Sequence, residues 1–238
     1  MSIRAVPPVA PSRHDAHRHP RGGATNLYLV RHGRTAGNVQ QRLIGSTDMP
    51  LDDLGRQQAL LTGARVASDI RPAAIIASPL DRAHTTARAI GDRLGMTPQL
   101  DPGLVEMDFG DAEGLALSDL TNHYPDLLRR FDDLDDWDVQ WPGGESRRGF
   151  HDRVQRTFTA ILHDWHDHDI VVVAHGGLIA SFLAAVQGLH PNDWRAYQIK
   201  NCSVTHLQIT PAHTDVHLLN CTVHLESLVT PAATETQR

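Results

Sequence analysis

The chain has 238 residues, 40% of them hydrophobic and 21% charged, enough apolar material for a full core in one large domain or two small ones. A net charge of −6 offers no basic footprint for nucleic acid, and no apolar run reaches the length of a membrane span, so neither a nucleic-acid nor a membrane partner is expected. Two cysteines, Cys202 and Cys221, give no disulfide framework, and the N-terminus lacks the apolar segment of a secretory signal, so a cytoplasmic protein is expected.

Residues 1–25 are rich in Pro, Arg and His and hold few side chains that could join a core, which reads as a disordered leader. Its "HDAHRH" could bind a metal, but a tail without ligands on two sides reads more simply as solvated. A folded domain is expected over 26–226 and a flexible tail over 227–238.

From Asn26 onward strand and helix signals alternate. "NLYLV" is a short apolar run and reads as a strand. Leu54, Ala59, Leu61, Ala64 and Val66 recur at helical spacing behind Asp52, a capping residue. "AAIIAS" is a second strand, followed by a helix from about Asp81 to Leu94. Phe150, Val154, Phe158 and Ile161 form one helical stripe, and "DIVVVAH" is a third strand running into Gly176 and Gly177. An apolar helix, "LIASFLAAVQGL", comes next, and "SVTHLQI" and "VHLLNCTV" close the chain as strands. Strands separated by helices argue for an α/β fold, a three-layer sandwich with a mostly parallel central sheet and helices on both faces.

Three strand ends carry similar chemistry: Arg31-His32-Gly33, Ser78 to Arg82, and His175-Gly176-Gly177. In open α/β sheets, sites form at the carboxyl ends of strands, so two histidines and two arginines from separate segments could share one crevice. One strand-end His-Gly is ordinary turn chemistry; two, with a strand-end arginine between, point to a site. Guanidinium forks match phosphate oxygens, a neutral imidazole is a nucleophile toward phosphorus, and phosphoryl transfer asks mainly for positioning and charge neutralisation. The competing use of paired histidines is a metal site, which would bring carboxylates into the cluster and repel the arginines. No metal and no cofactor is expected.

These motifs and their order resemble the histidine phosphatase superfamily, the phosphoglycerate mutase-like proteins. "LVRHGRT", "NVQQRLIGSTDMPLDDLGRQQA", "SPLDRAHTTA", "LVEMDFGDAEG", "PGGES" and "VVVAHGG" follow the family pattern over roughly Asn26 to Val223. The resemblance implies that His32 is the nucleophile and forms a phosphohistidine. It implies that Arg31, Arg82 and His175 surround the phosphoryl group, and that Thr35 and Gly45 line its pocket. Asn38 is either a phosphate ligand or a loop cap. Glu106 is the implied general acid for the leaving oxygen, with partial burial expected to favour its proton; the alternative is a surface carboxylate. Gly33 is expected to let a phosphate approach the backbone.

Family mutases usually carry an acidic residue after Arg-His-Gly, where this chain has Arg34, and a longer basic lid after the acid glutamate. Here only residues 107–141 intervene, including the acidic "RRFDDLDDWD", read as a solvated helix face or loop. A mutase must keep water off its phosphoenzyme, so the short lid favours hydrolysis of a small-molecule phosphomonoester. A phosphoglycerate mutase-type phosphotransferase is the alternative. A binding or regulatory module would usually have lost the nucleophile or an arginine, and both are present. The oligomeric state stays open, a homo-oligomer included.

Overall fold

The computed structural model describes residues 23–133, 135–189 and 191–228. Most of the stretch expected to be leader, with its "HDAHRH", therefore lies outside the described residues. The first strand begins at Thr25, which is buried and paired with Ile209, one residue inside that stretch. At the other end a short 3-10 helix, Val223–Leu228, runs past Glu226.

In chain order the elements are β1 (Thr25–Arg31), α1 (Ala36–Val39), α2 (Asp53–Asp69), β2 (Ala74–Ala77), α3 (Asp81–Leu94) and β3 (Gln99–Leu100). There follow α4 (Leu120–His123), α5 (Pro125–Asp132), α6 (Arg147–Asp164), β4 (Asp169–Ala174), α7 (Gly176–Val186), β5 (Val204–Ile209) and β6 (Thr214–Cys221). The sheet order is β3-β2-β4-β1-β5-β6. The first four strands in that order are mutually parallel, while β5 and β6 run antiparallel on the far side of β1. The sheet is therefore mixed, and the antiparallel end carries two of its six strands. The reason lies in the connection: a hairpin joins β5 to β6 and needs no crossover helix.

The two faces of β1 and β4 read off their alternation. Leu27, Leu29, Ile170 and Val172 join the cluster that contains Phe150, Val154, Phe158, Ile161, Leu178 and Phe182, from α6 and α7. Val30, Val171 and Val173 join Val66, Ala83, Ala87 and Ile90, from α2 and α3. Both faces are covered, which is why "DIVVVA" is apolar without a break.

Asp52 caps α2 by accepting the Gly55 N–H at 2.7 Å. The buried face of α2 is shifted from the expected one: Ala64 is exposed, and Thr62 and Gly63 face inward. A Cβ at Gly63 would stand 2.4 Å from the Ala89 carbonyl oxygen, so α2 and α3 cross where only hydrogen fits between their backbones. A pattern that counts apolar side chains misses an interface made by a glycine.

On the opposite face the Phe158 and Phe182 rings stack with centroids 3.8 Å apart, both almost fully buried. Phe158→Ala should therefore cost about 3–5 kcal/mol of unfolding free energy, measured by urea denaturation. A loss below about 1 kcal/mol would show that the neighbouring side chains close the space.

Candidate active site

Because β4 lies between β1 and β2, the three strand ends picked out in the sequence are adjacent. The His32 N–H bonds the Ala174 carbonyl at 3.0 Å, and the Ser78 N–H bonds the Val173 carbonyl at 3.0 Å. Arg31 and His32 thus leave β1 beside His175, which caps α7, with Ser78 on the other side. The His32 and His175 ring centroids are 5.2 Å apart.

Arg82 lies in the first turn of α3 and is 1% exposed. Its Nη1 donates to the Thr47 carbonyl at 2.9 Å, its Nη2 to the Gly45 carbonyl at 2.7 Å and its Nε to His175 Nδ1 at 3.2 Å. A guanidinium only donates, so His175 Nδ1 must be the bare nitrogen and its proton sits on Nε2, 2.8 Å from Ser78 Oγ. His32 has the other tautomer: its Nδ1 is 2.7 Å from the Gly33 carbonyl, which can only accept. In the neutral ring that leaves the lone pair on Nε2. Burial, then the nearby arginines, push both imidazoles well below the usual histidine pKa, so both are neutral at pH 7.

Arg31 gives Nη1 to the Ile199 carbonyl, and its Nε is buried without a protein partner. Burial lowers the pKa of Arg31 and Arg82 from the ordinary guanidinium value, and the Glu106 carboxylate opposes that shift in both. Asp48 and Glu113 oppose it further at Arg82, and the two guanidiniums stay charged beside two neutral rings.

Glu106 is buried, not on the surface, at 8% exposure. Its Oε2 accepts the Gly177 N–H at 2.8 Å and its Oε1 the Leu178 N–H at 3.0 Å, at the N-terminus of α7. A Cβ at Gly177 would stand 2.8 Å from Oε1, so that glycine gives the carboxylate its place.

Thr35, Asn38 and Gly45 are structural parts of the same wall. Thr35 is the N-cap of α1, and Asn38 closes a capping box: Asn38 Oδ1 accepts the Thr35 N–H and hydroxyl, each at 3.1 Å. Asn201 Nδ2 adds a third donor to that oxygen at 3.1 Å and bonds the His32 carbonyl at 3.1 Å. The cap reading of Asn38 is realised through its oxygen, while its Nδ2 has no protein partner among the described residues. Gly45 turns its carbonyl to Arg82, and a Cβ there would stand 2.1 Å from the Met107 carbonyl oxygen. Gly33 has a different reason from the one expected. A Cβ at Gly33 would lie 2.5 Å from the Gly55 carbonyl oxygen, so α2 packing demands a glycine there, whatever approaches from the crevice.

The loop that holds Arg82 is held in turn by Glu113. Its Oε1 accepts the Ser46 N–H at 2.7 Å and the Phe109 N–H at 3.2 Å, and its Oε2 accepts the Thr47 N–H at 2.7 Å and the Thr47 hydroxyl. Burial alone would raise the Glu113 pKa, but these donors outweigh it and hold the carboxyl below the usual range. Ser78, Glu113 and Asn201 escaped the sequence reading. Ser78 and Glu113 sit inside quoted motifs without an obvious role, and Asn201 precedes an antiparallel strand, so it meets the carboxyl end of β1 from its own amino end.

The fold and this crevice define an α/β protein built to receive a small anion. The chain matches the model of the histidine phosphatase superfamily (branch 1) over residues 27–222 and belongs to that superfamily. It is 37% identical over 177 residues to a glucosyl-3-phosphoglycerate phosphatase of Mycolicibacterium vanbaalenii, covering 71% of this chain and 76% of the relative. It is 32% identical over 179 residues to the "Probable phosphoglycerate mutase GpmB" of Erwinia tasmaniensis, covering 75% and 82% of the two chains. Among solved structures, a mycobacterial glucosyl-3-phosphoglycerate phosphatase superposes with a TM-score of 0.71 at 32% identity, over 84% of this chain and 100% of the other.

Neutral buried histidines have a consequence for acid stability. Their folded-state pKa values lie below that of the unfolded chain, about 6.5, so the unfolded chain takes up protons first as pH falls. The stability they contribute is intact above pH about 6.5 and is lost progressively below it. Replacing His32 with Gln should therefore flatten the acid limb by up to about 1.4 kcal/mol per pH unit between pH about 6 and 5, read from urea unfolding at several pH values. An unchanged slope would mean that His32 is already charged in the folded protein.

Proposed function

We propose that this phosphoric monoester hydrolase cleaves a small-molecule phosphomonoester through a phosphohistidine on His32, without a metal. The observation that carries the reading is the Nδ1 contact of His32 with the Gly33 carbonyl, which leaves the Nε2 lone pair beside the buried Arg82 and the half-buried Arg31. The Nε2 lone pair attacks phosphorus, the phosphorus–oxygen bond to the leaving group breaks, and Glu106, which enters this step as the carboxylic acid, passes its proton to the leaving oxygen. Water then attacks the phosphohistidine, Glu106 takes a proton from it, and His32 is regenerated with release of phosphate.

In this reading Arg31, Arg82, His175 and the Nδ2 of Asn38 surround the phosphoryl oxygens. Thr35 and Gly45 shape the pocket through the capping box and through the carbonyl that holds Arg82. The buried Nε of Arg31, without a partner among the described residues, supports an anionic ligand, since a buried donor without an acceptor is costly. The charge-neutralising work that a divalent ion does in other phosphoryl-transfer sites falls to the two guanidiniums. Hydrolysis, not transfer to a second hydroxyl, is favoured by the short segment between Glu106 and Trp141 and by the named phosphatase relatives. Among the described residues no helix is long and apolar enough to cross a membrane.

His32→Ala should leave less than about 1% of phosphate release, since loss of a covalent nucleophile costs many powers of ten. An acid-labile phosphoryl group should be trapped on the parent protein by rapid quench with a labelled phosphomonoester. Activity retained in His32→Ala would overturn the assignment.

The same assay in EDTA should run at an unchanged rate. Activity lost to chelation and restored by a divalent cation would place the chemistry on a metal. Phosphate passed quantitatively to glycerate, and not to water, would favour the mutase-type reaction.

A further inference from the structure

Glu106 sits in a segment with no helix or strand of its own. Residues 105–109 are irregular, yet Leu104, Glu106 and Met107 are buried. Buried backbone carbonyls outside regular structure need donors from elsewhere. Here they come from one side chain on α6, Arg153. Its Nη1 donates to the Gly103 carbonyl at 3.0 Å and the Val105 carbonyl at 2.6 Å, and its Nη2 to the Glu106 carbonyl at 3.2 Å. The remaining two N–H groups form a fork on Glu145: Nε to Oε1 at 2.9 Å and Nη2 to Oε2 at 2.7 Å. All five donors of the guanidinium are thereby used.

Glu145 completes the frame on the other side of Glu106. Its Oε2 also accepts the Asp108 N–H at 3.0 Å, and its own N–H donates to the Asp108 carbonyl at 2.8 Å. The pair is mostly shielded from water, with side-chain exposures of 20% and 25%. Arg153 also lies over the Phe150 ring, 5.2 Å from its centroid, which fixes its direction from the helix.

We propose that Arg153 and Glu145 are positioning residues that set the aim of Glu106 at the leaving oxygen. The proposal rests on the reading of Glu106 as the proton donor. The side chain of Glu106 is held by α7 through Gly177 and Leu178, while its backbone is held by Arg153 on α6; Glu145, just ahead of that helix, holds Arg153 and the neighbouring Asp108. The carboxyl is suspended between two helices, and a proton donor misplaced by about an ångström can lose on the order of a hundredfold in rate. Lysine cannot replace Arg153, because a single ammonium has neither five donors nor a planar fork.

The test compares two leaving groups. Para-nitrophenolate leaves readily without a proton, whereas phenolate is more basic and gains from one. The burst of leaving-group release reports phosphorylation of His32 alone, so it is measured with para-nitrophenyl phosphate and with phenyl phosphate. Arg153→Lys and Glu145→Gln should lose roughly 10–100-fold with phenyl phosphate and less than about 3-fold with para-nitrophenyl phosphate, the same pattern as Glu106→Gln but smaller. Should Arg153→Lys not fold, judged by its thermal unfolding, Glu145→Gln decides, since it keeps the shape of the side chain.

Equal losses with both substrates in the two frame variants, or no loss, would overturn the proposal if Glu106→Gln still discriminates between the substrates. In that case the frame is merely structural and the acid assignment stands. If Glu106→Gln itself loses equally with both, the acid assignment fails first and the proposal falls with it.

Discussion

Burying the positive charge of Arg82 is the constraint on which the rest of the site depends. A guanidinium that is 1% exposed must exchange water for fixed acceptors. Its partners come from two places, the carbonyls of the 45–47 loop and His175 at the end of β4. The first requirement forces Gly45 against Met107 and calls on Glu113 to hold the loop. The second fixes the tautomer of His175 and gives Ser78 its place. Burial is the main reason His32 stays neutral, and Arg31 and then Arg82 add to it; neutral is the state in which a ring nitrogen can attack. One cation therefore dictates the loop and the tautomer, and adds to the effects that keep the nucleophile neutral.

Arginine plays a second role on α6. Arg147 donates to the carbonyls of Phe131, Asp133 and Asp136, and Arg153 to those of Gly103, Val105 and Glu106. Both serve irregular segments on the same side of the sheet. The acidic stretch at the end of α5 and beyond it is a largely solvated helix end and loop, in which Arg130 pairs with Asp136, Arg148 with Asp138 and Arg195 with Asp132. Most of these ion pairs are exposed and contribute little individually. The carbonyl contacts of the two α6 arginines are better shielded and fix the path of the chain.

The sequence by itself determined the order of the longer strands and helices and the three segments that would carry chemistry, and left the short α1, β3, α4 and α5 unread. Those features depend on period and on neighbouring residues: the unbroken apolar run of "DIVVVA", the cap at Asp52, the stripe from Phe150 to Ile161. It also placed Arg31, His32 and His175 at the ends of β1 and β4, because a His or Arg following an apolar strand is visible without any knowledge of partners; Arg82, read as a strand-end arginine, lies instead in the first turn of α3. Tertiary structure decided what no local pattern contains. The antiparallel course of β5 brings Asn201 to His32, an approach from 169 residues away. Backbone contacts with α2 and α3, not side-chain patterns, explain Gly33 and Gly63. The tautomers of His32 and His175 follow from acceptors and donors that only the folded chain puts within reach. The frame around Glu106 joins residues about fifty positions apart, and a hydrogen bond leaves no periodic trace in a sequence when one partner is a backbone carbonyl that every residue possesses.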